Sequence, residues 1–477
     1  MSFFKISGQR TFPPCYWKLL FQFILSFLLS NIFFFGIAYY LHATRLLINI
    51  DYIIPCLLLL FSNLFIRIFG IIVLILLMLI EIHLLLLKFF PFLNFAMIYD
   101  LFPFVFIGPK YYLFMFCVLL LGVMFVAFSA WFLNKNQQKF YPIIFSVLII
   151  FLYLYAGVVY RFEFNDNHSY DSNHWSTDSF YINSQSLFYK KHFYKFETEF
   201  VVHLGVDVKL VPYKNNNNVG IDSLNKPHNN KILFILAESF GVLNDDDAQQ
   251  EIFKKLYEKS EYFDFIEDGF INIDDMATVE AEFRELCKKS LENGFKFKNV
   301  IDKDVSSCTP HLLNQQGYKT VAFHGATSVM YGRNYFYPKL GFQKIMFNDD
   351  MLDKKRCHSF PGTCDSEIFP LIANEFVNND KVFVYWLTLT SHHPYLEQDI
   401  FNHRFDCNKH DIHSSLCNNI KMHTQFIDQL ADLSLKPEMR GVEVMVVGDH
   451  AAHGIAFDDT LKQDVDKVSF IHFKIKE

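Results

Sequence analysis

The chain has 477 residues, 52% hydrophobic and 18% aromatic, with 43 Lys and Arg against 50 Asp and Glu for a formal net charge of −7. The mean conceals a division. Residues 1–162 carry ten Lys/Arg and three Asp/Glu, a net charge of +7, whereas residues 163–477 carry 33 and 47, a net charge of −14. The apolar first third excludes a wholly soluble protein, and the acidic remainder argues against nucleic-acid binding, which needs a concentrated positive field.

Apolar runs long enough to cross ~30 Å of hydrocarbon occur at about 17–41, 46–66, 68–88, 111–133 and 142–161, with only Arg67 between the second and third. This predicts an N-terminal α-helical transmembrane bundle of about five spans over residues 1–162. The first run is too long for a cleavable signal peptide and is followed by further spans. With the amino end inside, Lys5, Arg10, Lys18, Arg67, Lys135 and Lys139 fall on the cytoplasmic side and Arg45, Lys88 and Lys110 on the outer side. That excess of positive charge inside is modest and consistent. An odd number of spans then places everything after 162 outside the cytoplasm. Glu81 and His83, within the third run, are read as helix–helix partners in preference to an ion pathway.

Residues 163–230 read as a linker, with Asn-rich stretches at 165–173 and 215–218. Leu187–Phe200 mixes aromatics with lysines, a composition suited to an interfacial helix and equally to an amphipathic helix packed on the next domain. From Lys231 onward, 247 residues suffice for one α/β domain. Its buried strands are read at Ile232–Leu236, Thr320–Phe323, Val382–Leu389 and Val442–Val447, with helices at Glu280–Leu291 and His423–Leu435. The alternation predicts a mostly parallel sheet with helices on both faces.

Six cysteines fall in this part: Cys287, Cys308, Cys357, Cys364, Cys407 and Cys417. Their spacing suits sequential disulfides, although six cysteines allow fifteen pairings, and no C-x-x-C supports a zinc ribbon. Disulfides persist in an oxidising compartment.

The residues just past each strand carry the chemistry. The four runs end in Ala237-Glu238-Ser239, His324-Gly325, Ser391-His392-His393-Pro394 and Gly448-Asp449-His450. Open α/β sheets bind ligands at the carboxyl ends of their strands, and here each end offers a carboxylate or an imidazole. Glu238, Asp449 and His450 form an oxygen and imidazole set suited to zinc or manganese. Thr278 opens the helix-like segment after Asn272–Asp275. There its hydroxyl is either a plain N-cap or a group held where a helix N-terminus favours phosphate.

The motifs ILFILAESFG, ATVEAEFRELC, FHGATSVMYGRNYFYPKLGF, TLTSHHPY and VVGDHAAHG occur in that order after the apolar runs. In this the chain resembles the lipoteichoic acid synthase, phosphoglycerol transferase and phosphoethanolamine transferase branch of the alkaline phosphatase (sulfatase-like) superfamily. The layout resembles that branch throughout, and the motifs cover 231–477. The resemblance implies a metal site of Glu238, Thr278, Asp449 and His450, holding Zn2+ or Mn2+, with Thr278 also the nucleophile. His324, Arg333 and His392 match substrate-binding positions. Tyr331 stands where phosphoglycerol transferases often carry Trp, and Ala451-Ala452-His453 departs from the usual continuation, leaving His453 as an additional ligand, a leaving-group acid or a structural residue.

The implied reaction is ping-pong. Thr278, its hydroxyl acidified by the metal, attacks the phosphodiester of phosphatidylglycerol or phosphatidylethanolamine, with Arg333 and His392 neutralising phosphoryl charge. Diacylglycerol leaves, and a hydroxyl of an envelope glycan or lipopolysaccharide takes the phospho-group. The same resemblance implies a multi-pass protein of a bacterial inner (plasma) membrane with its catalytic domain on the periplasmic side.

Several rivals use the same residues. Ala237-Glu238-Ser239-Phe240-Gly241 is one residue from a G-x-S-x-G elbow, which would make Ser239 the nucleophile of a serine esterase. Cys308-Thr309-Pro310-His311-Leu312 begins like the C-x-P-S-R site of formylglycine sulfatases but lacks its Ser and Arg. A phosphodiesterase would use the same site with water, and a non-catalytic membrane sensor would keep the fold without the chemistry. No Walker-type loop is present, so nucleotide-driven transport has no support.

Overall fold

The computed structural model describes residues 14–40, 45, 47–86, 102, 104–108, 110–134, 147, 150, 182–184, 207–213, 220–224, 226, 228–292, 295–300, 302–455 and 457–477. The chain forms two compact units, one of residues 1–85 with 114–197 and one of residues 86–113 with 198–477.

Among the described residues three helices are long and apolar enough to cross a membrane: α1 (Pro14–Tyr40), α2 (Leu64–Leu86) and α3 (Lys110–Leu133). At 1.5 Å per residue each exceeds 30 Å. Phe34, Leu74, Met78, Val126 and Ala130 are buried between them, while Phe65, Met124 and Phe128 point outward, the inverse of a soluble bundle.

The run at 46–66 is not a span. It forms two residues of strand, Ile48–Asn49, a 3-10 turn, Ile50–Tyr52, and a helix of six residues, Ile53–Leu58. The cause is polar. Asn31 Oδ1 accepts the Asn49 N–H at 2.6 Å, and Asn49 Nδ2 donates to Glu81 at 3.3 Å. Arg45 and the Tyr52 hydroxyl also donate to Glu81. Side chains thus satisfy a backbone that cannot continue as a helix, a condition apolarity alone does not reveal. Asn63 Oδ1 caps α2 through the Phe65 N–H at 2.8 Å. Arg67, read as a boundary, lies within α2 with its guanidinium 4.4 Å from the Trp131 ring centroid. Most of the candidate at 142–161 lies outside the described residues, as do Leu187–Phe200 and both Asn-rich stretches, so the expectation of five spans stands at three described.

The second unit holds an eight-stranded sheet of β1 (Lys231–Ala237), β2 (Gly241–Leu243), β3 (Phe263–Asn272), β4 (Lys319–His324), β5 (Lys344–Met346), β6 (Val382–Leu387), β7 (Glu443–Gly448) and β8 (Gln463–Ile475). The order is β2-β8-β7-β1-β6-β4-β5, with β3 also on β8. From β7 to β5 all pairs are parallel; β8 is antiparallel to its neighbours. This is the mostly parallel α/β sheet expected from the sequence.

Every side chain of β6 and β7 is buried, as are six of seven in β1, because both faces are covered. Leu233 and Ile235 face a core closed by α4 (Asp246–Tyr257), α7 (Asp365–Asn378) and α8 (Ser414–Ser434), represented by Phe253, Phe369, Phe426 and Leu430. On the other face Phe234 stacks on Tyr385, which meets Tyr337 of α6 (Arg333–Leu340). Each fully buried large side chain contributes about 1.5–3 kcal/mol.

Two helix boundaries differ from expectation. α5 spans Thr278–Cys287, ending where Lys288 turns left-handed at φ 53, and Lys289–Glu292 pairs antiparallel with Lys209–Pro212. Part of the stretch read as linker is therefore built into a small sheet. The helix expected at His423–Leu435 starts at Ser414. The disulfides are sequential: Cys287–Cys308, Cys357–Cys364 and Cys407–Cys417.

Candidate active site

Strand register assembles the site. Leu387 lies opposite both Leu236 and His324, and Gly448 opposite Ala237, so β1, β4, β6 and β7 end at one edge. Glu238 follows β1, Asp449 follows β7, Thr388 follows β6, and His324 closes β4. Two backbone bonds lock this alignment: Thr388 N–H to Leu236 O at 3.0 Å and Asp449 N–H to Ala237 O at 3.0 Å. A Cβ on Gly448 would lie 2.0 Å from the Phe240 carbonyl oxygen. Only glycine lets β7 end this close to the turn after β1.

That turn is strained, with Ser239 at φ 58. It is held from several sides. Ser239 N–H donates to Asp449 Oδ1 at 2.7 Å, Glu238 N–H to Thr388 Oγ1 at 2.9 Å, and Ser391 Oγ to Glu238 O at 2.6 Å. Asn419 Nδ2 and His423 Nε2 bond the Ser239 carbonyl at 3.3 and 3.0 Å.

Thr278 is the first residue of α5, not its cap. Ala277 is the N-cap, and Glu280 Oε2 takes the N–H groups of Met276 and Ala277 at 3.1 and 3.0 Å. With the capping done by Glu280, the Thr278 hydroxyl is released toward the strand ends. It donates to Glu238 Oε2 at 3.2 Å and lies 3.5 Å from His450 Nε2. Thr278, Glu238, Asp449 and His450 are all buried, and the structure brings the four together.

The donor set fits a divalent cation. Ligand atoms of Glu238, Asp449 and His450 all lie within 4.8 Å of one another. His450 Nδ1 is 2.9 Å from the Ala451 carbonyl, which fixes its proton there and leaves Nε2 a lone pair. That lone pair sits 3.3 Å from Asp449 Oδ2, a buried oxygen with no hydrogen-bond partner among the described residues. Burial, then the charge of Asp449, pushes Glu238 well above the usual carboxylate range; burial also raises Asp449 and holds His450 down at about 3. A divalent cation held between two crowded carboxylates and a bare nitrogen would reverse those shifts. The other grouping of this type, Cys357, Cys364 and Asp399, is no metal site. Its cysteines are bridged, and Asp399 receives the N–H groups of His358 and Ser359.

The expected substrate-binding residues surround this centre. Arg333 opens α6 after Tyr331 and Gly332, both at positive φ, and its guanidinium lies 5.2 Å from the Tyr331 ring centroid. Its positive charge lowers Glu238, His324 and His392. His324 and His392 resemble His450: each has Nδ1 against a backbone carbonyl, Leu387 O at 3.0 Å and His393 O at 2.8 Å. Burial is the first cause of the lowered pKa of both. Both are thus neutral, with Nε2 a lone pair. For the expectation that His392 neutralises phosphoryl charge, the geometry shows instead a ring whose Nδ1 is bound to the His393 carbonyl, with Arg333 the fixed positive charge of the three. His453 stacks on His450 with ring centroids 4.3 Å apart, and its Nε2 meets Met276 O at 3.3 Å. It braces the segment before Thr278.

Sequence reasoning missed Arg284, Glu282, Glu280 and His423. Arg284 is wholly buried, donates to the Gly448 and Asp449 carbonyls at 3.0 and 3.2 Å, and pairs with Glu285 and Asp275. It ties α5 to the end of β7. Their signal lay in ATVEAEFRELC, where charges recur on helix positions too crowded to be solvated.

The α/β unit with its polar strand edge matches a sulfatase family model over part of its length, and the same chain carries apolar helices of membrane-spanning length. Residues 273–466 match the Sulfatase family model. That range includes Thr278, Asp449 and His450, with Glu238 upstream. Similar solved structures include the lipoteichoic acid synthase LtaP from Listeria monocytogenes, 17% identical, covering 53% of this chain and 69% of that one at a TM-score of 0.40. The phosphoglycerol transferase GacH of Streptococcus pyogenes, in complex with sn-glycerol-1-phosphate, is 14% identical over 54% and 71%, TM-score 0.37. The C-terminal periplasmic domain of EptC from Escherichia coli, in complex with Zn, is 13% identical over 52% and 72%, TM-score 0.38. No curated protein matches the chain.

Proposed function

We propose that this protein is a metal-dependent phospho-group transferase. It moves phosphoglycerol or phosphoethanolamine from phosphatidylglycerol or phosphatidylethanolamine, through phospho-Thr278, to an envelope glycan or lipopolysaccharide. The observation that carries this reading is the Thr278 hydroxyl at the start of α5, hydrogen-bonded to Glu238 and facing the bare Nε2 of His450.

Glu238, Asp449, His450 and Thr278 would hold Zn2+ or Mn2+, which would supply Lewis acidity and a lowered pKa at the bound hydroxyl. The remaining work falls to the chain. Thr278 Oγ bonds to phosphorus, the bond from phosphorus to the diacylglycerol oxygen breaks, and diacylglycerol departs as the protonated alcohol. Glu238 Oε2 accepts a hydrogen bond from the Thr278 hydroxyl, which places it to take that proton as Thr278 attacks and pass it to the leaving alcohol. Arg333 meets phosphoryl oxygen, and the His324 and His392 lone pairs accept hydrogen bonds from hydroxyl or ammonium groups of the donor head or the acceptor. In the second half the acceptor hydroxyl displaces Thr278. Three disulfides in the catalytic unit support a periplasmic location, and apolar helices support a multi-pass membrane anchor.

Ser239 has the strained post-strand geometry of an elbow, but its Oγ donates to Glu238 Oε1 at 3.1 Å, and among the described residues no imidazole bonds to that oxygen. A serine esterase is therefore not favoured. The decisive experiment combines Thr278→Ala with intact-protein mass spectrometry of the full chain incubated with each phospholipid. Wild type gains a mass of phosphoglycerol or phosphoethanolamine and the variant gains none. Unchanged turnover in Thr278→Ala sinks the assignment, and release to water alone converts it to a phosphodiesterase.

A further inference from the structure

Arg333 is not free to swing toward a ligand. Its Nε and Nη2 lie 3.0 and 2.8 Å from Glu282 Oε2. The other carboxylate oxygen, Oε1, receives the hydroxyls of Tyr337, from α6, and Tyr385, from β6, the latter at 3.5 Å. Glu282, Tyr337 and Tyr385 have no exposed surface, and Arg333 is 1% exposed. Burial alone drives Glu282 upward and Arg333 downward, while each partner's charge acts the other way. An ion pair this deep is weak evidence for stability, since desolvating both charges offsets most of their attraction. Its retention beside the strand ends calls for another reason.

Geometry supplies one. Glu282 stands four residues after Thr278 on α5, so one helix face carries both the hydroxyl and the carboxylate. Glu282 engages the Nε–Nη2 edge of the guanidinium. Nη1 has no hydrogen-bond partner among the described residues, and the charge acts on Glu238, His324 and His392. We propose that Glu282 is a positioning residue: anchored by Tyr337 and Tyr385, it fixes Arg333 so that Nη1 meets a phosphoryl oxygen in register with Thr278. This deepens the proposed function and rests on it. Because the nucleophile and the carboxylate that anchors Arg333 share one rigid helix, phosphorus is aligned without a separate ordering step, and misplacement of about 1 Å costs about 10²-fold in rate.

The test uses the full chain in detergent, supplied with zinc, and two probes: inorganic phosphate affinity by calorimetry and bis(4-nitrophenyl) phosphate turnover. Glu282→Gln keeps the shape and removes the charge. It is expected to weaken phosphate binding about tenfold and kcat/KM about 10²-fold, as Arg333→Gln does, with the double variant no worse than Arg333→Gln. Folded Glu282→Gln with wild-type phosphate affinity, or losses that multiply in the double variant, overturns the proposal. If Glu282→Gln does not fold, Tyr337→Phe removes one anchor, with a severalfold loss of phosphate affinity expected; unchanged affinity overturns the proposal as well. The two readings fail separately. Turnover surviving in Thr278→Ala defeats the transferase, whereas the phosphate arm judges Glu282 regardless.

Discussion

Each unit buries a glutamate beyond the reach of solvent, and the two are treated in opposite ways. In the helical unit, Glu81 is met by Arg45, Asn49 and Tyr52, so its charge and lone pairs are answered within the chain. In the α/β unit, Glu238 lies against a second carboxylate, and Asp449 Oδ2 has no partner among the described residues. The first arrangement is complete and holds helices together. On the proposed function, the second would be completed by a cation and a substrate. Glu282 lies between them, since its carboxylate is fully answered while its partner Arg333 keeps one nitrogen in reserve. Satisfaction of buried charge, more than burial itself, separates structural from functional acids here.

That contrast is open to experiment, from the largest effect downward. Thr278→Ala should lower transfer on the order of 10⁴-fold or more while leaving the melting temperature near wild type, as read by lipid-product analysis and circular dichroism. Chelation should abolish activity and lower the melting temperature of the α/β unit, and Asp449→Asn should reproduce both by losing bound metal in elemental analysis. Glu81→Gln should leave metal content unchanged; if metal falls with Glu81, the division between the two acids is wrong. Glu81→Ala removes the buried carboxylate that meets Arg45 in the helical unit and should cost about 3–5 kcal/mol, measured by urea or heat denaturation in detergent. A cost near zero would show the cluster to be dispensable.

The smallest effect concerns pH. Burial holds His423 down at about 4 from 6.5 while its Nε2 bonds the Ser239 carbonyl. Between those values the unfolded chain binds a proton that the folded chain refuses, so stability falls as pH drops from about 6.5 toward 4. His423 accounts for up to about 3 kcal/mol of that loss. His423→Gln should flatten the slope of melting temperature against pH in this window. An unchanged slope removes His423 from the account.

Some of this was legible in residue order. Apolar runs of β length followed by Glu238, His324, His392 and Asp449-His450 announced a parallel sheet with a polar edge, since a strand buried on both faces is apolar throughout and its end is where polarity resumes. Sequential cysteine spacing announced the three bridges. Other features were not legible. The 46–66 run is apolar enough to span, yet Asn31 and Glu81, remote in sequence, draw its polar atoms into a turn and a short helix. Spacing alone left Thr278 open between an N-cap and a phosphate-facing hydroxyl, because the capping role of Glu280 depends on where its side chain folds back.

Sequence alone therefore determined which residues stand at strand ends, because hydrophobic periodicity is local and strand parity comes directly from it. Tertiary structure decided which of them meet and in what state. The Leu387 carbonyl at the end of β6 holds the Nδ1 proton of His324, and Glu282 reaches Arg333 across 51 residues. Those contacts join separate elements, and a pattern read along one strand or helix carries no information about the partner that packing brings to it.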